Sequence, residues 1–234
     1  FGATPRVGVT IFDRQGSAAS KLGPDDFDWD VFLKTSRAAH TDGIFPGLSD
    51  SCRAAAAAYL QAARRNGCLT TFDLNYREHL WTEKSARQCW ETLLPYVDVL
   101  VTNRSASEAV FDFRGTDEAI LSAYKAAFGC KVICLTSREI PGILRGAWSS
   151  QALVDGQVIQ GPRFEFDVID RFGTGDAFLA GLVYGYLEQD AAFGLAFGNA
   201  ACALAHTIEG DVVQFSAAEV LPLLNDKHDL RVRR

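Results

Sequence analysis

Methionine is absent from all 234 residues, position 1 included. The expectation is that the sequence begins part-way into a gene product. Cysteine chemistry is sparse as well. The six cysteines, Cys52, Cys68, Cys89, Cys130, Cys134 and Cys202, contain no C-x-x-C pair. Most stand within apolar stretches, which predicts small core residues in a reducing compartment rather than disulfides or a metal site. The four histidines show no H-E-x-x-H or related spacing. No apolar run is long enough to span a bilayer and no secretory leader is visible, so a cytoplasmic protein off the membrane is expected. Positive charge is in deficit: 23 Lys and Arg face 29 Asp and Glu, a net charge of −6. That argues against nucleic acid or an acidic membrane as partner, since neither gains from meeting a negative surface.

What is present is a large apolar fraction, 48%, enough to bury a sizeable core. From about residue 37, short apolar runs alternate with helical patterns. Strands are predicted at Ala38–Ile44, Cys68–Leu74, Val97–Thr102 and Lys131–Thr136. Helices are predicted at Asp50–Asn66, Glu83–Leu94, Ser105–Phe113 and Thr116–Phe128, the first capped by Ser49/Asp50 and closed by Gly67. Near-continuous apolar strands alternating with helices predict an α/β fold, a mostly parallel sheet covered on both faces. Trp148–Val154 and Gln157–Ile159 around Asp155-Gly156 read as a β-hairpin. The end is helical, over Gly175–Leu187, Ala191–His206 and Ser216–Leu224. Ahead of the alternating region, Arg6–Asp13 reads as an edge or lid strand and Phe27–Leu33 as a short helix.

The segment that carries chemistry is Asp170-Arg171-Phe172-Gly173-Thr174-Gly175-Asp176-Ala177-Phe178. A turn with two glycines runs straight into a long apolar helix, so the backbone can fold tightly and bring N–H groups to a ligand. The first N–H groups of a helix lack internal acceptors, and the macrodipole adds partial positive charge. Together they make an anion site suited to phosphate. Asp176, on the first turn, is placed to accept a proton from a substrate hydroxyl as a phosphoryl group arrives. A loose phosphoryl-transfer transition state asks little of such a base, and the donors at 173–176 supply the electrostatic stabilisation. The bland alternative is a capped helix and nothing more. The segment is neither a Walker A sequence nor a Rossmann fingerprint.

The stretch D-R-F-G-T-G-D-A-F-L-A-G resembles the C-terminal signature of the ribokinase-like (PfkB) carbohydrate kinases, and the likeness extends over nearly the whole chain. The resemblance implies a doubly wound α/β sheet with a small β lid: part of the lid and a turn in residues 1–20, and the kinase core in 21–234. It implies Asp176 as catalytic base and Gly173, Thr174 and Gly175 as anion hole. It also implies ATP with Mg²⁺, and a monovalent cation, K⁺, near Asp170. The same resemblance assigns nucleotide contacts to Asn103, Thr136, Arg138, Gly173, Gly175 and Asn199.

Other pieces resemble the 2-keto-3-deoxygluconate kinase branch: Asp13–Ser20, Asp42-Gly43-Ile44, Phe72–Arg77 with Leu80-Trp81, and Leu94–Asp98. In that branch the residues matching Arg14, Arg77, Asp211 and the backbone at Ile44 contact the substrate. An Arg fork suits the carboxylate of a sugar acid. Asp73 and Asn75 end a strand at the C-terminal edge of the sheet, where ligands of open α/β sheets bind. The expected acceptor is therefore a small sugar or sugar acid, and a homo-oligomer is compatible with the reading. Fructokinases, nucleoside or vitamin kinases of the same fold, and a catalytically weak sugar-binding homologue stay open as alternatives. Three departures from the family stand out. Ala106 occupies the Glu position of N-x-x-E, with Glu108 on another face. Thr136-Ser137-Arg138-Glu139 replaces T-x-G-x-x-G. The N-terminal strands that relatives carry ahead of Arg6 are missing from the sequence.

Overall fold

A computed structural model describes residues 11–225. Asp28 caps the short helix α1 (Trp29–Leu33) by accepting the Val31 N–H at 3.1 Å. Next come β1 (Ala38–Asp42), α2 (Asp50–Arg65), β2 (Leu69–Asp73), α3 (Glu83–Leu93) and β3 (Val99–Asn103). After these follow α4 (Arg104–Phe111), α5 (Asp117–Phe128), β4 (Val132–Glu139), β5 (Arg145–Val154) and β6 (Gln157–Gln160). The chain continues through β7 (Phe164–Asp167), α6 (Thr174–Glu188), α7 (Ala191–Ala205) and α8 (Ala217–Val220).

The local rules hold at most boundaries. Ser49, Thr82, Asn103, Thr116 and Asp190 each accept a backbone N–H at the start of the helix they precede. Ser216 and Glu219 form the reciprocal capping box of α8, which gives way to a 3₁₀ turn at Leu221–Asn225. Asp155 and Gly156 both have positive φ, +50° and +80°, as a two-residue turn that matches strand twist requires. Two expectations change. β1 stops at Asp42, two residues short of the expected Ile44, and a 3₁₀ turn follows at Phe45–Gly47. β4 runs three residues past Thr136, so Arg138 and Glu139 belong to a strand. β7 was not expected at all, although F-E-F-D alternates buried and exposed as an edge pair demands. The strand expected over Arg6–Asp13 lies, up to residue 10, outside the described residues, and 11–13 carry no regular structure.

The described chain divides into two units: 11–136 with Ala152–Val158, and Ser137–Gln151 with 159–225. In the first, β1, β2, β3 and β4 are parallel neighbours in that order, with Ala38 opposite Leu69, Thr71 opposite Val99, and Val99 opposite Val132. The hydrogen-bonded order continues through β5 and β6, with β7 antiparallel to β5. This is the mostly parallel α/β sheet that the alternation predicted. Trp90 is the hub of the first unit's core. It is fully buried and meets Phe72, Tyr76, Trp81 and Phe111 at centroid distances of 5.5–6.4 Å. Buried Asp98 pins the N-terminal ends of the strands. It accepts from Thr70 N and Oγ1 and pairs with Arg64 and Lys131 at 3.2 and 3.0 Å. All six cysteines are buried and free, as expected of core residues.

In the second unit, α6 and α7 cross on four glycines. A Cβ at Gly181 would lie 2.8 Å from Gly198 Cα, and one at Gly185 2.7 Å from Gly194 Cα. In the other direction, a Cβ at Gly198 would lie 2.6 Å from the Phe178 carbonyl oxygen, and one at Gly194 2.7 Å from that of Leu182. The backbones therefore touch, and no side chain larger than hydrogen fits at the crossing. Gly198→Val should lower stability by about 1–3 kcal/mol or more through overpacking. Thermal unfolding checks this, and a melting midpoint equal to the parent's would refute it.

Candidate functional site

The glycine turn begins where β7 ends. Ile169 N and Asp170 N donate to the His206 carbonyl at the end of α7, at 2.8 and 3.2 Å. The Asp170 carboxylate, 6% exposed, accepts three backbone N–H groups: Arg171 at 2.6 Å, Gly210 at 3.0 Å and Phe172 at 3.4 Å. Burial alone pulls its pKa up. The three donors outweigh that and hold the carboxyl below the ordinary aspartate value of 3.8. Asp170, expected to stand near a monovalent cation, thus spends both oxygens on N–H groups and acts as the anchor of the turn.

Gly173 is the N-cap of α6, with φ +69°. A Cβ there would lie 2.7 Å from the Asp211 carbonyl oxygen, so both the conformation and the space exclude a larger residue. Thr174 is buried. Its hydroxyl donates to the Arg171 carbonyl at 3.2 Å and accepts from Arg138 Nη2 at 3.1 Å. That side chain locks the turn, which leaves Thr174 only its backbone N–H for an anion. Arg138 also lies over the Trp148 ring at 5.4 Å. Asp176 is exposed on the first turn of α6, and an added Cβ at Gly175 would meet open space. The geometry therefore brings together, in one unit, helix-start N–H groups with no partner among the described residues, an exposed carboxylate and the Asp211 loop. A cavity of about 440 Å³ opens beside them, lined among others by Gly173, Asp176, Asp211, Tyr184, Phe197 and Phe215. Tyr184 and Phe172 are 42% and 48% exposed, whereas Phe178 is buried.

Asn199, expected at the nucleotide, is fully buried. It accepts from Ser150 Oγ at 2.7 Å and donates to the Pro162 carbonyl at 2.8 Å. Its side chain ties β5 and the β6–β7 connection to α7, and its neighbours Phe197 and Ala201 line the cavity. The sequence reading missed His206. It is buried, stacked on Phe166 at 3.9 Å, with Nδ1 bonded to the Cys202 carbonyl at 2.8 Å. Nothing in its sequence neighbourhood signals that role, which depends on β7 lying against α7.

The first unit holds the remaining candidates. At the C-terminal ends of β1 and β2, Asp42 accepts from Ile44 N and Phe45 N, and Asn75 Nδ2 donates to its other oxygen, all at 3.1 Å. Ile44 offers a carbonyl that already accepts from Gly47 N at 3.0 Å and keeps one lone pair for another donor. Arg77 is exposed two residues past Asn75. Arg14 sits over the Phe12 ring at 4.1 Å, away from regular structure. Asn103 caps α4 through Ala106 N at 2.9 Å, and Thr136 Oγ1 donates to the Thr102 carbonyl at 3.1 Å. Arg104 is engaged by Glu108, Asp117 and the Gly115 carbonyl, which fits a surface charge network. Ala106 is buried.

Among the described residues no three Asp, Glu, His or Cys side chains cluster to hold a metal ion. No helix among the described residues is long and apolar enough to cross a membrane.

Burial, first, and the nearby Arg138 and Arg171 charges lower the His206 pKa to about 4 from its ordinary 6.5. A lowered histidine contributes stability that is present above pH 6.5 and lost as pH falls toward 4, because the unfolded chain binds the proton first. Thermal midpoints should therefore drop across that window. In His206→Phe the drop should be smaller, and an unchanged slope would refute the assignment.

Comparison with known proteins follows the same lines. Residues 8–215 match the family model described as "pfkB family carbohydrate kinase". A 2-dehydro-3-deoxygalactonokinase from Haloferax volcanii is 35% identical over 223 residues, 94% of this chain and 66% of that protein. A 5-dehydro-2-deoxygluconokinase from Clostridium perfringens is 28% identical over 86% of this chain and 58% of its own length. The crystal structure of 2-dehydro-3-deoxygluconokinase from Thermotoga maritima superimposes with a TM-score of 0.89 at 32% identity, covering 96% of this chain and 70% of that one. The chain thus spans less than two thirds of the length of these two curated relatives.

Proposed function

The chain belongs to the pfkB family of carbohydrate kinases, and from that premise we propose that it moves the γ-phosphoryl group of ATP to a hydroxyl of a sugar acid, most simply 2-keto-3-deoxygluconate. One observation carries the reading. Helix-start N–H groups at Thr174, Gly175 and Asp176 open beside an exposed carboxylate, on a turn that Asp170 holds rigid. Those donors would gather the negative charge of the transferring phosphoryl group. Asp176 would accept the proton of the attacking hydroxyl as the new O–P bond forms and the bond to the β,γ-bridging oxygen breaks, releasing ADP. Mg²⁺ bound to the nucleotide would neutralise phosphate charge. Arg138, fixed by Thr174 and Trp148, adds a cation in the same unit.

The acid class of the acceptor is supported by the names of the relatives, which specify dehydro-deoxy galactono- and glucono- acceptors. It is also supported by the exposed Arg77 at a strand end, whose guanidinium offers a two-point fork to a carboxylate. Asp211 beside Gly173 and the free lone pair at Ile44 would accept from sugar hydroxyls, and Arg14 would add a second cation.

Two measurements test this. Asp176→Asn should lower kcat by several orders of magnitude with fold and ATP binding retained, and near-parental turnover would remove Asp176 from the mechanism. Arg77→Ala should raise KM for ketodeoxy sugar acids more than for fructose in a coupled ADP-release assay. Equal losses for both would end the carboxylate assignment.

A further inference from the structure

The turns that follow β1 and β2 are joined by a side chain whose geometry exceeds what a helix cap requires. One oxygen of Asp42 suffices to hold Ile44 N and Phe45 N. Its second oxygen reaches across to Asn75 Nδ2 at 3.1 Å. Asn75 has φ +37°, in the left-handed region that asparagine tolerates better than most non-glycine residues. Its own N–H donates to Asp73 Oδ1 at 3.0 Å. The backbones are stitched at the same level, where Gly43 N donates to the Asp73 carbonyl at 2.8 Å. Gly43 itself abuts the Leu74 carbonyl and Trp90, so no side chain fits between the two turns. The two turns also touch beyond the clamp. A Cβ on Gly47 would lie 2.6 Å from Leu80 Cδ2 and 3.2 Å from Trp81.

Arg77 stands on the second of these turns. A long arginine aims only as well as its backbone is fixed, and this backbone is fixed on both sides. Asn75 precedes it in the clamp, Tyr76 packs edge-on against Trp90 at 6.1 Å, and the Arg77 carbonyl accepts Leu80 N at 2.9 Å. We propose that Asp42 is a positioning residue for acceptor recognition: through Asn75 and the Ile44 amide it sets the distance between the Ile44 carbonyl and the Arg77 guanidinium, and so selects acceptors that present a hydroxyl and a carboxylate at that spacing. The inference rests on the sugar-acid kinase reading and assigns how that site discriminates. Asp42 does not touch the acceptor. It acts through the two groups that do.

The test is steady-state kinetics of the purified protein with 2-keto-3-deoxygluconate and with fructose, alongside melting midpoints. Asn75→Gly keeps the left-handed backbone and deletes only the amide that Asp42 holds. Asp42→Asn combined with Asn75→Asp exchanges donor and acceptor across the same gap. Asn75→Gly should raise KM for the sugar acid roughly tenfold to a hundredfold while KM for ATP stays unchanged, and selectivity over fructose should shrink. The exchanged pair should recover most of that loss. An Asn75→Gly protein with parental KM for the acid, or with equal rises for acid and ATP, overturns the positioning role. So does an exchanged pair that recovers nothing while melting like the parent. If the parent itself consumes no ATP with any ketodeoxy sugar acid, the acceptor reading fails first and the positioning role falls with it, a result separable from the others by that control alone.

Discussion

A buried carboxylate costs several kcal/mol unless donors replace the water it loses. Asp170 finds its donors in backbone N–H groups from two separate stretches, Arg171–Phe172 and Gly210. This one acceptor therefore fixes both the curvature of the glycine turn and its distance from the loop that carries Asp211. The contact between Gly173 and the Asp211 carbonyl follows from it, and so does the exclusion of any side chain at position 173. The N–H groups at the start of α6 can face a ligand because the turn ahead of them is held by someone else's hydrogen bonds.

The helix behind the turn is held as firmly by the opposite means. α6 and α7 meet without side chains at their crossing, glycine against backbone at four positions. Dispersion between close-packed backbones replaces interlocked side chains, and the pair has little freedom to slide. α7 in turn supplies the His206 carbonyl that receives Ile169 and Asp170. Asn199 extends the same helix's reach to Ser150 and Pro162 through a fully satisfied buried amide. A buried amide must be paired in this way where leaving it unpaired would cost about 1–3 kcal/mol.

In the other unit, the parallel strands divide labour between their two ends. The N-terminal ends are pinned by Asp98, a buried acid satisfied by Thr70, Arg64 and Lys131. The C-terminal ends are cross-linked by Asp42, Asn75 and Asp73, side chains short enough to bond neighbouring backbone. The first network serves stability, while the second stands where open α/β sheets present their ligands.

The sequence by itself determined the alternation of strands and helices, the caps at Ser49 and Thr116, the Asp155-Gly156 turn and the glycine turn with Asp176. Each is set by residues within a few positions of one another, through hydrogen-bond periodicity, short polar side chains and φ angles that few residues accept. The pieces decided only by tertiary structure involve partners far apart in the chain. Asp170 anchors the glycine turn only with Gly210 at its second oxygen, forty residues away in sequence. The bonds of Asn199 to Ser150 and Pro162, and the cavity lined by Tyr184 and Phe215, likewise join residues far apart in the chain. β7 and His206 became legible only together, because a four-residue strand is too short to announce itself and a histidine's partner is chosen by whatever surface folds against it.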